Sequence, residues 1–146
     1  MSKSDTFENN LLALIFNGTA ITGIAMNTTT SPLTSLYVAL HTSDPGEAGT
    51  QTTNEVTTSA YAGYVRVAVA RSSAGWTVNG ASVSPANTIS FPACTGGTGA
   101  TITYFSIGTA ATGAGVILYS GTVSPNIAVT SGVTPQLTTA STITED

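Results

Sequence analysis

The sequence predicts a mainly β fold: a single antiparallel β-sandwich, jelly-roll-like, behind a short N-terminal amphipathic helix. Three observations lead there. Threonine, β-branched and suited to strands, occurs 28 times, whereas only 7% of the residues are charged, so the helix formers Lys, Glu and Arg are scarce. From Leu33 onward apolar residues recur with a period of two. Gly and Pro clusters interrupt that pattern at intervals of roughly ten to fifteen residues, the spacing of short strands joined by turns.

The elements follow in chain order. Asp5, with Glu8 three residues later, forms a capping-box-like start, and Ser4 is a rival cap. Phe7, Leu11, Leu14 and Ile15 then share one helical face, and Asn17-Gly18 supplies a stop, which predicts a helix near residues 5–16. A second short turn of helix could form in "AITGIAMN" before "TTTSP" ends it. "LYVALHT" and "YVRVAVAR" alternate as strands, with Leu36, Val38, Leu40, Val65, Val67 and Val69 toward the core. "WTVNGASV" places Asn79-Gly80 between two short strands, as in a type I′ hairpin. "TISFPA", "TITYFSIG", "VILYSGTV", "NIAVTSG" and "PQLTT" complete the strands; Trp76, Phe91, Ile102, Tyr104 and Leu118 join the expected core. Residues 1–30 are read as a helical segment packed on the domain or on a neighbour. Residues 31–146 form the sandwich, with a long polar loop over 42–62.

At 146 residues one domain suffices, and a chain of this length buries roughly 70% of its unfolded surface without help from disulfide or metal. The net charge is −4, with Lys3, Arg66 and Arg71 the only basic side chains, so no basic stripe exists to bind a phosphate backbone. Direct nucleic-acid binding is therefore not expected. Cys94 is alone, which leaves no intramolecular disulfide and points to a small core residue. The polar start "MSKSDTFENN" does not read as a signal peptide, and no apolar run approaches the about 18 residues of a membrane span. A bacterial cytoplasm is the expected place of synthesis and assembly, and no membrane partner is expected.

The stretch "LHTSDPGEAGTQ" holds the only histidine, His41, near Asp44 and Glu47. An enzyme would use His41 as base, Asp44 as its orienter and a nearby hydroxyl as nucleophile, yet there is no nucleophile elbow. The preferred reading is a half-exposed residue at a strand end, running into an Asp-Pro-Gly turn, so that His41→Ala should be tolerated. Asp44, Glu47 and Glu55 are candidate oxygen ligands for calcium, although their spacing is not that of an EF-hand. "CTGGTGA" lacks the Lys-Ser/Thr of a phosphate loop. Trp76 and Tyr104 could stack on sugar as in a carbohydrate-binding module, or fill a core. Neither catalysis nor a cofactor is expected. A Thr-rich, nearly neutral surface suits a subunit fixed in a larger assembly.

"LYVALHTSDPGEAGTQ", "YVRVAVA", "GWTV", "ISFPA" and "GTAATGAGVILYSG", in that order, resemble a group of small proteins of tailed bacteriophages and prophages. The resemblance covers nearly the whole chain. It implies a virion structural protein without catalytic residues, similar to the capsid cement or decoration subunits of short-tailed phages; other members are named as tail fibres. On that resemblance the expected function is a capsid decoration subunit in the virion that clamps neighbouring major capsid proteins. The expected partners are the major capsid protein and a second copy of the chain as a homo-oligomer, a dimer. Phe7, Leu11, Leu14 and Ile15 are the partner-binding candidates. A tail component or short tail-fibre adaptor, and a carbohydrate-binding module, are the alternatives.

Overall fold

The computed structural model describes residues 3–27 and 31–145. The chain is mainly β, with antiparallel sheets, 37% strand and 9% helix, so the fold class matches the sequence reading. The chain divides into two compact units. Unit 1 is built from residues 1–36, 69–88 and 137–146, and unit 2 from residues 37–68 and 89–136.

Unit 1 contains the helix α1, Asp5–Asn17. Ser4, rather than Asp5, is its N-cap: its backbone is extended and its Oγ accepts from the Phe7 N–H at 3.4 Å. Asp5 and Glu8 then sit in the first turn, where negative charge suits the helix dipole. Gly18, at φ 67°, closes the helix in the left-handed conformation. The buried stripe is Glu8, Leu12 and Phe16, at i, i+4 and i+8. The Phe7–Leu11–Leu14–Ile15 face therefore points elsewhere, with Phe7 exposed and the other three half-buried.

After α1 the expected helical turn is instead a tight β-like turn, in which Ile21 and Ala25 exchange backbone hydrogen bonds of 2.7 and 2.9 Å. Gly23 takes a left-handed φ of 76° there, which ends any helical path. α1 packs on β3 (Trp76–Asn79) and β4 (Ser82–Pro85), and the Phe16 and Trp76 rings meet edge-on at 4.9 Å. β3 and β4 pair from Trp76↔Pro85 to Asn79↔Ser82, so the turn residues are Gly80 and Ala81. With φ positive at Gly80 and not at Ala81, this has the type II′ pattern rather than the expected type I′, shifted by one residue. A short strand at Ile143–Thr144, β9, pairs with β4 and was not anticipated.

Unit 2 carries most of a four-stranded sheet of order β2-β1-β6-β7, in which β1 is Ser35–His41, β2 Val67–Ala70, β6 Ala100–Gly108 and β7 Ile117–Val129. A two-stranded ladder joins β5 (Ile89–Ser90) to β8 (Gln136–Leu137). "VILYSGTV" and "NIAVTSG", expected as separate strands, are one. Between Tyr104↔Thr122 and Ile102↔Ile127, two steps along β6 face five along β7. The bulge holds Ser124 and Pro125, which keeps a residue lacking an N–H out of the ladder.

Leu36, Val38, Leu40, Trp76, Phe91 and Ile102 are buried as expected. Val67, Val69 and Tyr104 are only half-buried, while Val65 and Leu118 are exposed. Two reasons account for the last pair. Strand β2 starts at Val67, so a two-residue period does not govern Tyr64–Arg66, and Arg66 rather than Val65 turns inward. On β7 the inward parity belongs to Ile117, Tyr119, Gly121 and Val123, which leaves Leu118 outside.

Candidate functional site

The most connected set of polar side chains lies in unit 2, where the 42–62 segment folds back against β1. Val38 and Leu40 occupy one face of that strand and Ala39 and His41 the other, yet all four are buried. The segment returns along the edge of β1 as an antiparallel bridge, His41 opposite Glu55, through Thr42 N–H to Asn54 O at 2.9 Å and Val56 N–H to Leu40 O at 3.0 Å. Asn54 takes φ 55°, the left-handed geometry that asparagine tolerates and the reversal needs.

His41 is thus fully buried, not half-exposed at a strand end as expected. Its Nδ1 lies 2.9 Å from Thr53 O and its Nε2 2.8 Å from Ser106 Oγ. A carbonyl can only accept, so Nδ1 carries a proton, and in the neutral imidazole Nε2 accepts from the Ser106 hydroxyl. Burial pushes the imidazole pKa below its ordinary 6.5, against the upward pull of the Thr53 carbonyl and the Glu55 carboxylate; the Arg66 charge adds to the depression.

Beside it, Gln51 is also fully buried. Its Nε2 donates to Tyr37 O at 3.2 Å and its Oε1 accepts from Ala110 N–H at 2.9 Å. A Cβ at Gly108 or Gly115 would come within 2.3 or 2.2 Å of that side chain, so these glycines make room for it. Glu55 and Arg66 form a two-pronged ion pair, Nε to Oε1 and Nη2 to Oε2, both at 2.7 Å. Tyr64 donates to Glu55 Oε1 at 2.8 Å while its oxygen accepts from Leu40 N–H at 3.0 Å. Arg66 further donates to Ala110 O and Gly113 O, at 2.9 and 2.8 Å. Burial, more than the neighbouring carboxylate, raises the Tyr64 phenol far above its usual range, and the hydrogen bond to Glu55 raises Arg66. All but two of these bonds engage the 42–62 segment or the 109–116 turn; the exceptions are His41–Ser106, between β1 and β6, and Leu40–Tyr64.

The Ser106–His41 contact has the geometry of a nucleophile–base pair, but neither side chain has exposed surface, so a substrate has no path to Oγ in this conformation. Of the calcium candidates, Glu55 is engaged by Arg66 and Tyr64. Asp44 is exposed and accepts from Gly46 N–H at 2.8 Å in an Asx turn, and Glu47 is exposed. No three His, Cys, Asp or Glu side chains gather as a metal site among the described residues. Trp76 is buried, with no partner for its Nε1 among the described residues, and Tyr104 is half-buried, so Trp76 offers no platform to a sugar. Sequence reading missed Gln51, Tyr64, Arg66 and Ser106. Only Arg66 left a signal, a rare cation inside an apolar alternation.

The fold and this network define a β-rich structural protein whose polar side chains brace its own loops. The phage family described as "Podophage GP4 fiber I protein gp80" matches residues 2–144, and the chain belongs to that family. It is accordingly a phage virion structural protein. No curated protein matches the chain.

Proposed function

We propose that the chain is a non-enzymatic subunit of a podophage tail fibre, or of the adaptor that seats such a fibre. The observation that carries this is a match to a fibre protein family running through residues 2–144, both compact units included. The braced 42–62 segment supports it: a loop fixed by His41, Gln51 and Glu55 presents a constant surface to other virion proteins. The apolar side chains left uncovered on unit 1, among them Phe7, Ile24 and Met26, supply contact area for a second copy or a neighbouring subunit.

Copy number and position test the proposal together. In purified virions a fibre subunit stands at a few per cent of the major capsid protein, on the order of the ratio between tail and shell copies, and antibody label falls on the tail. A copy number approaching one per major capsid subunit, with label over the head, would instead establish the capsid cement reading and its major capsid protein partner.

A further inference from the structure

Two asparagines precede glycine, and the fold holds their side-chain amides in opposite circumstances. Asn79 ends β3 opposite Ser82, and Gly80 begins the two-residue turn; both are exposed. A Cβ added at Gly80 would meet nothing within 4 Å, so the approach to its backbone nitrogen is open. Among the described residues the only hydrogen bond given to Asn79 beyond the ladder is to its backbone carbonyl, from Ser82 Oγ at 3.0 Å; nothing holds the amide. Asn17 is the last residue of α1 and half-buried. In the orientation that satisfies both ends of its amide, the NH2 group donates to Ser72 O at 3.2 Å and Trp76 O at 3.3 Å. The following N–H, that of Gly18, is held by Ala13 O.

We propose that Asn79 is a site of spontaneous deamidation and isoaspartate formation in the folded protein, and that Asn17 is protected. The Gly80 backbone nitrogen attacks Asn79 Cγ. The N–Cγ bond forms, the Cγ–Nδ2 bond breaks, and the proton from the Gly80 nitrogen leaves with Nδ2 as ammonia. Water then opens the succinimide at either carbonyl, giving aspartate or isoaspartate; one water is consumed and one ammonia released, with no redox partner. Glycine favours the step because no Cβ shields the attacking nitrogen. At Asn79 only the final rung of a short ladder must fray, whereas at Asn17 the helix end must open and two amide hydrogen bonds must break. The isoaspartate product threads the main chain through the former side chain. It thereby lengthens the connection between β3 and β4 and adds a negative charge at the hairpin tip.

The test is peptide mapping by mass spectrometry of the intact folded chain aged in mildly alkaline buffer, beside the same chain held in denaturant. In denaturant both Asn-Gly sites should convert. In the folded chain the peptide containing Asn79 should gain the mass of an amide-to-acid change and split into aspartyl and isoaspartyl forms, while Asn17 converts at least roughly tenfold more slowly. Asn79→Gln, which keeps an amide but lengthens the ring that would have to close, should remove the signal without disturbing the mapped Asn17 peptide. An Asn79 that stays intact while the denatured control converts would overturn the proposal, as would an Asn17 that converts as fast as Asn79.

Discussion

Replacing Arg66 by Met is the sharpest test of the buried network. The substitution keeps most of the side-chain volume and removes four hydrogen bonds: two to Glu55, one to Ala110 O and one to Gly113 O. Glu55 would then keep only the Tyr64 hydroxyl, on a carboxylate whose side chain is 14% exposed. The two freed carbonyls lie on the 109–116 turn, half-buried at Ala110 and exposed at Gly113, where water can replace the guanidinium. The cost is therefore dominated by the stranded carboxylate, and breaking such a pair costs about 3–5 kcal/mol. Set against a total stability of about 5–15 kcal/mol, that is a large fraction. Urea unfolding followed by far-UV circular dichroism should show it as a lowered midpoint at unchanged slope. The Glu55→Leu/Arg66→Met double variant should cost less than the two single changes added, because it removes the stranded charge. An Arg66→Met cost below about 1 kcal/mol is the value of an exposed ion pair, and it would refute the clamp.

Other expectations follow from the same contacts. His41→Ala, tolerable under the half-exposed reading, should cost about 3 kcal/mol in urea unfolding, since it leaves a cavity and strips Thr53 O and Ser106 Oγ of a partner. Because the folded imidazole titrates below 6.5, the unfolded chain binds more protons on acidification. The contribution of His41 to stability is full above 6.5 and falls as pH drops below it, by at most about 1.4 kcal/mol per pH unit until the folded group itself titrates. His41→Gln should flatten that part of a stability–pH curve; an unchanged curve would dismiss the buried neutral tautomer. Gly97→Ala sets a Cβ 2.6 Å from Ala60 O at φ 110° and should cost more than about 2 kcal/mol by the same assay. Gly132→Ala, at φ 90° with open space around it, bears only backbone strain of about 1 kcal/mol. Trp76→Phe, which removes a buried donor without a partner, should lower stability by less than about 2 kcal/mol, against about 3–5 for Trp76→Ala.

What could be read in advance was local. Ser4 and Gly18 bound α1 through contacts within three to five residues of themselves, so the helix was legible to about one residue. The Trp76–Pro85 hairpin was legible too, but its turn slipped by one position because pairing from Trp76↔Pro85 fixes the register. Strand parity correctly placed Val38 and Leu40 on one face of β1 and His41 on the other. Parity cannot say what covers a face. The groups that bury His41 come from Thr53 and from Ser106, the latter 65 residues away, and the polar 42–62 composition suggested a solvated loop. Arg66 was misread because alternation was extended to residues that are not strand, and Ser124-Pro125 because a bulge absorbs a proline that normally ends a strand.

The disposition of the cations bears on what the surface can recognise. Lys3 reaches Glu145 at 3.3 Å. Arg66 is fixed on Glu55 and two carbonyls. Arg71 donates to Leu14 O and Ile15 O, both at 2.6 Å, and to Asn27 Oδ1 at 2.7 Å, so it serves as the positive charge at the carboxyl end of α1, whose last turn has no basic residue of its own. All three basic side chains of the chain are thus committed within their own units. What unit 2 turns outward near its braced loop is acid and hydroxyl: Asp44 and Glu47 line a cleft with Ile117–Ser120 of β7, where Ser120 and Thr122 also face out. That face therefore offers hydroxyls, backbone groups and apolar area such as Leu118, and no cation. A polar network thus holds its loop in one shape beneath a surface nearly free of positive charge, which leaves little to attract a polyanion electrostatically.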